Sequence, residues 1–276
     1  MKKISLLRDT MVNAGTQLNL VIGYPLQHTK SPLLHTTIYR HLHCNAVMLA
    51  HATNNLSETM NAAKTLSVAL MAVTMPYKKE IINYLGDVSE EAKKLNSVNT
   101  VISRDDKLFG YNTDVDGVAY ALRNISLANK NTLIIGAGGA SHAAAYFLNK
   151  QNANLWWLNR TEHHVLPLIT KFGGNQVDKT KINEFPIDII INTTPLGMFP
   201  DVHQSPLPNY SFNANQIVFD MVYNPIDTLL IKNAREKGAE CISGIDMLIG
   251  QGIKQIELWL NKPVDISIDH IKKILN

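Results

Sequence analysis

Little in this chain points to metal, thiol-redox or nucleic-acid chemistry. Cysteine is scarce: Cys44 and Cys241 are the only two in 276 residues. They lie far apart, and no zinc or dithiol spacing can be built from them. Free thiols in a reducing cytoplasm are the expectation. Charged residues make up 18% of the chain, and the net charge is +3. The basic residues are scattered, so no stripe or tail for nucleic acid is expected. Long apolar runs are missing too. No stretch nears the roughly 18 uncharged residues of a membrane span. The opening MKKISLL is cut short by Arg8 and Asp9, which argues against an export signal. Histidine pairs do not suggest a metal site. His41 and His43 stand two apart, which puts them on different helix faces, and His163-His164 is an adjacent pair. No metal is expected.

What is present is an ordinary apolar fraction, 45%, enough for a real core. The length suits two domains or one large α/β unit. Residues 1–17 read as a polar extension. From Asn19, apolar runs alternate with helix-like segments. LNLVIG, AVMLAHA and VALMAVTM read as strands. SPLLHTTIYRHLH reads as a helix with Ser31 as N-cap and Pro32 at its first position, and NLSETMNAAKTL as another. YKKEIINYL and SEEAKKLN read as short helices. VNTVIS and KLFGYN form a predicted hairpin turning at Arg104-Asp105-Asp106.

The second half alternates more cleanly. NTLIIGA, NLWWLN, IDIIINTT and QIVFDMVY are predicted strands. SHAAAYFLNK is a predicted helix. EHHVLPLITKF is a weaker one, interrupted by Pro167, and PIDTLLIKNAREKG opens on Pro225 and closes on Gly238. IDMLIGQGIKQIELWLN and SIDHIKKILN end the chain. Trp156 and Trp157 read as core, as do Ile253, Ile256, Leu258 and Leu260. The pattern implies an α/β fold with a mainly parallel sheet. A boundary is expected near Asn112–Asp114.

LIIGAGGAS runs from a buried strand through a glycine turn into a helix. Gly136 permits the turn, and Gly138 lets backbone approach a pyrophosphate, with the helix N-terminus beyond. The third glycine of the dinucleotide fingerprint is replaced by Ser141. Its alternative is an ordinary strand–helix turn. About 20 residues on, an NAD site carries an acid for the ribose. Here Asn159-Arg160-Thr161 stands instead. Arg160 can stack on adenine and pair with a 2′-phosphate, while Asn159 and Thr161 add hydrogen bonds. That favours NADP. In GYPLQHTKSP, the Thr29 and Ser31 hydroxyls could hold a carboxylate at a helix start, although taken alone a plain N-cap with a polar neighbour explains them better. Thr74, Lys78, Asn99 and Asp114 fall at strand ends or just beyond, where ligands gather in open α/β sheets. An ammonium and a carboxylate there could pass a proton to or from a hydroxyl.

GYPLQHTKSP, AVTMPYK, SVNT, YNTD, GAGGAS, NRT, DMVYNP and GIDMLIGQG resemble the shikimate dehydrogenase family in order and spacing. The likeness runs from about Leu20 to about Lys262. It implies two α/β domains: residues 1–113 plus 245–276 for substrate, and a Rossmann-like 114–244 for NADP, with the active site in the cleft between them. It implies reversible reduction of 3-dehydroshikimate to shikimate with NADPH, in aromatic amino-acid biosynthesis, by a cytoplasmic monomer or homodimer. Lys78 and Asp114 would be the catalytic pair. Thr29 and Ser31 would hold the substrate carboxylate beside Tyr223, and Thr74, Asn99 and Gln251 the ring hydroxyls. Gly136, Ala137, Gly138, Gly139 and Ala140 would cradle the pyrophosphate. Asn159, Arg160 and Thr161 would take the adenosine phosphate. Thr194, Met221, Gly244 and Met247 would line the ribose and nicotinamide.

Three positions depart from the family pattern. Ala72 replaces an asparagine common in relatives, which removes a polar group worth roughly 1 kcal/mol. Thr29 replaces a serine and adds a methyl group, which bears on shikimate against quinate. His164 stands where NADP-specific relatives often carry a second basic residue, so Arg160 is expected to carry most of the preference. A quinate/shikimate enzyme with broader cofactor use and a non-catalytic NADP-sensing module are the two alternatives.

Overall fold

Alternating apolar runs need two covered faces, and the chain supplies helices between its strands to cover them. A computed structural model describes residues 12–275. Within the extension expected over residues 1–17, residues 1–11 lie outside the described residues. Asn13–Thr16 form a turn pinned to Asn45, with Thr16 Oγ1 donating to Asn45 Oδ1 over 2.8 Å.

In chain order the strands and helices are β1 Gln17–Gly23, α1 Ser31–His41, β2 Ala46–Ala52, α2 Leu56–Thr65, β3 Leu70–Val73, β4 Asp87–Val88, α3 Glu90–Leu95, β5 Thr100–Arg104 and β6 Lys107–Tyr111. There follow α4 Asp114–Ala121, β7 Asn131–Ile135, α5 Gly139–Lys150, β8 Asn154–Leu158, α6 Leu166–Phe172, β9 Asn175–Gln176 and β10 Ile189–Asn192. The chain ends with β11 Ile217–Asp220, α7 Leu229–Glu236, β12 Glu240–Ser243, α8 Gly244–Leu260 and α9 Ile268–Leu275. It divides into two units, residues 1–113 with 252–276, and residues 114–251.

The first unit holds a six-stranded mixed sheet in the order β2-β1-β3-β5-β6-β4. β1 pairs in parallel with β2 and β3, and β5 runs antiparallel to β3 and β6. The β5–β6 hairpin turns at Asp105 and Asp106, with φ of 48° and 60°. Two left-handed residues match the right-handed twist of the strands. One face of this sheet packs Leu20, Ile22, Met71, Val73 and Val101 against Leu56, Met60 and Ala92 of α2 and α3.

The second unit holds a six-stranded sheet, all parallel, in the order β12-β11-β10-β7-β8-β9. Leu133, Ile135, Ile190 and Val218 pack with Leu230, Ile231 and Ala234 of α7. The order reverses between β7 and β10, which opens a crevice at their carboxyl ends.

Several local expectations are corrected. Ser31 is not the N-cap of α1; Lys30 holds that place without a side-chain bond. Thr29 supplies the acceptor instead, its Oγ1 3.3 Å from the Ser31 N–H. YKKEIINYL forms only the 3-10 helix Glu80–Tyr84. Pro167 opens α6 instead of interrupting a helix, because its missing N–H costs nothing in the first turn. α7 does not open on Pro225. It begins at Leu229, where the Thr228 hydroxyl caps the Ile231 N–H at 3.3 Å. The short strands β4, β9 and β12 carry too few apolar residues to signal themselves. Trp157 is fully buried, but Trp156 is half-buried against Phe185, ring centroids 5.1 Å apart. In α8 only Ile256 of the four expected core residues is fully buried; Ile253, Leu258 and Leu260 are half-buried. Polar Gln255 takes a buried place in that row.

Candidate active site

In the first unit, the carboxyl ends of β1 and β3 meet. A Cβ on Gly23 would lie 2.7 Å from the Met75 carbonyl oxygen and collide with Thr74. Only a residue without a side chain allows this approach. Thr74 follows β3 directly, and its N–H donates to the Ile22 carbonyl at 2.9 Å. The Val73 N–H donates to the Asn99 carbonyl at 2.7 Å, and the Val98 N–H to the Lys78 carbonyl at 2.7 Å. Thr74, Lys78 and Asn99 are thereby held together at one sheet end. Lys78 is half-buried on the turn before the 3-10 helix, so it is not a fully exposed surface lysine. Asn99 is 2% exposed. Its Oδ1 accepts from the Thr113 N–H at 2.7 Å and the Thr100 hydroxyl at 2.8 Å. Its Nδ2 donates to Thr113 Oγ1 at 3.0 Å.

Thr29 and Ser31 stand at the start of α1. Ser31 is buried and its carbonyl lies 2.9 Å from His35 Nδ1. Burial pushes His35 down to about 4, so the ring is neutral at pH 7. Gln255 Oε1 lies 2.9 Å from His35 Nε2, and Gln255 Nε2 donates to Thr100 Oγ1 at 3.0 Å and to the Asn99 carbonyl at 3.3 Å. Thr100 can therefore accept from Gln255 while its own proton goes to Asn99 Oδ1.

In the second unit, the carboxyl ends of five parallel strands carry the expected cofactor residues. Gly136 follows β7, with φ of +113°. A Cβ there would sit 2.6 Å from Thr193 Oγ1, which follows β10. Both the backbone angle and the crowding demand glycine. A Cβ on Gly138 or Gly139 would meet nothing within 4 Å. The space over this turn is open, and the 12-residue α5 begins there with no side-chain cap. Backbone N–H groups and a positive helix end facing open space fit a pyrophosphate. Ala137 and Ala140 flank the turn, both half-buried. Ser141, where a third glycine was absent, is buried and donates to the Gly138 carbonyl at 2.6 Å.

Asn159, Arg160 and Thr161 follow β8. Asn159 Nδ2 donates to the Thr161 carbonyl at 2.8 Å, which shapes the loop, and Arg160 is exposed. His163 and His164 are exposed next to it, ring centroids 4.5 Å apart. Thr194 lies beyond β10, where its N–H and hydroxyl both donate to Asn192 Oδ1, at 3.0 and 2.7 Å. Asn192 Nδ2 donates to Asp220 Oδ1 at 2.9 Å. Asp220 Oδ1 also accepts the Val222 N–H at 3.0 Å, and its Oδ2 accepts the Thr228 hydroxyl at 2.6 Å. Met221 and Tyr223 sit on the loop this carboxylate holds. Burial raises the Tyr223 phenol, so it stays protonated.

Gly244 opens α8 directly after β12; a Cβ there would strike the Met221 carbonyl. α4 lies against α8 through a second glycine, Gly117, where a Cβ would be 2.7 Å from the Met247 carbonyl and 3.1 Å from Gln251 Cβ. Asp114, in the first turn of α4 and 7% exposed, is one turn before Gly117. Gln251 Nε2 donates to the Leu248 carbonyl at 2.9 Å. Asp114, Met247 and Gln251 thus belong to one helix pair.

Sequence reasoning missed His35, Thr100, Thr113, Gln255 and Asp220. A signal existed for three of them. His35 stands four residues after Ser31, Gln255 four after Gln251, and Asp220 interrupts the apolar VFDMV. Among the described residues, no group of three His, Cys, Asp or Glu side chains is placed to hold a metal ion.

Residues 21–101 match the family model of the shikimate dehydrogenase substrate binding domain, and residues 119–196 that of shikimate / quinate 5-dehydrogenase. The NADP(+)-linked shikimate dehydrogenase of Methanococcus maripaludis is 38% identical over 96% of this chain and 99% of its own. This chain belongs to the shikimate dehydrogenase family. Its two α/β units are those of the family. A crystal structure of shikimate dehydrogenase from Aquifex aeolicus superposes with a TM-score of 0.89, at 34% identity, covering 96% of this chain and all of that one. Shikimate 5-dehydrogenase of Thermus thermophilus, crystallised with NADP(H) and shikimate, gives 0.85 at 30% identity, over 94% of this chain and 98% of that one.

Proposed function

We propose that this chain interconverts shikimate and 3-dehydroshikimate with NADP. The supporting observation is the open glycine turn over Gly138 and Gly139, in a chain that aligns end to end with NADP-linked relatives. NADP supplies the hydride donor or acceptor. Gly136, Ala137, Gly138, Gly139 and Ala140 hold its pyrophosphate through backbone N–H groups. Arg160 pairs with the 2′-phosphate, with Asn159 and Thr161 beside it. Thr194, Met221, Gly244 and Met247 line the ribose and nicotinamide.

Thr29 and Ser31 hold the substrate carboxylate, with Tyr223 as a protonated donor. Thr74, Asn99 and Gln251 bind ring hydroxyls. Lys78 and Asp114 serve one proton. As the 3-hydroxyl becomes a ketone, they take the proton from oxygen; in reduction they return it. A developing alkoxide is stabilised by the nearby ammonium. The free Cys44 and Cys241 agree with a cytoplasmic enzyme. Among the described residues no helix is long and apolar enough to cross a membrane.

The experiment is nicotinamide reduction by the purified protein, with shikimate and quinate each paired with NADP and NAD. Turnover with shikimate and NADP is expected. Lys78→Ala should lower kcat by about 10²–10⁴ while NADP still binds; unchanged turnover would remove Lys78 from the chemistry. Quinate is the second substrate to test, because residues 119–196 match a shikimate / quinate model and Thr29 carries an extra methyl group.

A further inference from the structure

Four buried polar side chains join the start of α1 to the start of β5 without touching solvent. His35 is 0% exposed, Thr100 0%, Gln255 1% and Thr113 1%. They run from the Ser31 carbonyl through His35 to Gln255, on to Thr100, and from Thr100 to Asn99 and Thr113. No single element builds this row; it takes α1, α8, β5 and the chain after β6.

Burying so many polar atoms is costly unless each finds a partner, and here each does. The ends of the row mark what it holds. One end is the backbone of Ser31. The other is the amide of Asn99, whose Oδ1 and Nδ2 are both engaged, so its rotamer is fixed. Gly252 sits where the helices cross: a Cβ there would be 3.5 Å from His35 Cε1 and would collide with Leu34. The close approach of α8 to α1 is what lets Gln255 reach His35.

We infer that His35 and Gln255 are positioning residues, which set the Ser31 backbone and the Asn99 amide at a common spacing so that both can engage one substrate molecule. This rests on the proposed roles of Ser31 and Asn99. The pair touches no substrate itself. Its work is to remove the freedom of two binding groups before the substrate arrives. The His35 ring spans the Ser31 carbonyl and the Gln255 amide oxygen, and the Gln255 amide nitrogen reaches Thr100 and the Asn99 carbonyl, so the row fixes one register.

The test uses Gln255→Leu and the isosteric Thr100→Val in the full chain, beside Ser31→Ala and Asn99→Ala. For both relay variants the shikimate KM should rise about tenfold. kcat should change less than about threefold, and the NADP Kd should not move, because the cofactor residues lie in the other unit. Adding Ser31→Ala to Gln255→Leu should raise KM less than the product of the two single effects. Gln255→Asn, which keeps an amide, should recover part of the loss. Unchanged KM in folded Gln255→Leu and Thr100→Val, with Ser31→Ala and Asn99→Ala both impaired, overturns the relay alone. Unchanged KM in Ser31→Ala and Asn99→Ala overturns the reading of the site, and the relay with it. Effects that multiply in the double variant also overturn it.

Discussion

Asp220 offers a test that needs neither substrate nor cofactor. The carboxylate is fully buried at the end of β11. Burial pushes it up from 3.8 to about 6, although hydrogen bonds from Thr228, Val222 and Asn192 pull the other way. Between pH 4 and 6 the folded chain keeps a proton here that the unfolded chain has released. Stability from this group is therefore present at low pH and lost as pH rises through about 6. A rise of about 2 units at about 1.4 kcal/mol each gives ~3 kcal/mol. His35 acts in the opposite sense: its folded value lies below its unfolded one, so its contribution is lost as pH falls below about 6.5. The two offset each other in a global unfolding curve, which would hide both.

Asp220→Asn separates them. The amide oxygen can replace Oδ1 and accept from Asn192 and Val222. The amide nitrogen replaces Oδ2 and donates to Thr228 Oγ1. The fold should survive and the titration should vanish. Denaturant unfolding of both proteins at pH 4 and 7.5 is the assay. The stability difference should move by ~2 kcal/mol towards the variant over that interval, most of the full effect. A difference constant to within about 0.5 kcal/mol would refute the argument that burial outweighs the three hydrogen bonds.

Other expectations follow from single contacts. Gly136→Ala should lose about 2 kcal/mol of stability, from a strained φ and the clash with Thr193, and should weaken NADP by narrowing the turn; thermal melts and NADP titration would show the two losses. Arg160→Ala should weaken NADP about 10- to 100-fold, the worth of a charge-assisted contact, while NAD binding stays the same. Equal losses for both cofactors would take Arg160 away from the 2′-phosphate.

Strands and helices with strong apolar periodicity were legible in the sequence, because one side of each had to be buried. The parallel sheet of the second unit followed from that alternation alone. The glycine turn and the missing acid after NLWWL named Gly136 and Arg160 as cofactor residues, the family resemblance added Thr194 and Met221, and the structure puts each just beyond the carboxyl end of a parallel strand. What the sequence concealed was of two kinds. Short strands such as β12 are defined by their neighbours, not by their own composition. Buried polar residues such as His35, Gln255 and Asp220 look like surface residues until their partners, more than 200 residues away for the His35–Gln255 pair, are brought to them. Helix starts were misplaced for a related reason. At α1 the capping hydroxyl is Thr29, outside the helix, and periodicity carries no record of it.

The junction of β12 and α8 has no loop: the strand ends at Ser243 and the helix starts at Gly244. A joint without slack sets a phase. Met247, Gln251 and Gln255 follow at steps of four and share one side of the helix. One residue inserted at the joint would turn everything beyond it by about 100° and advance it by about 1.5 Å. Gln255 would swing away from His35, and Met247 from Gly117, in a single step. Substitutions along α8 can be repaired by their neighbours, one position at a time. A change of length at Ser243-Gly244 cannot, so the spacing there should tolerate less than any residue identity in the helix.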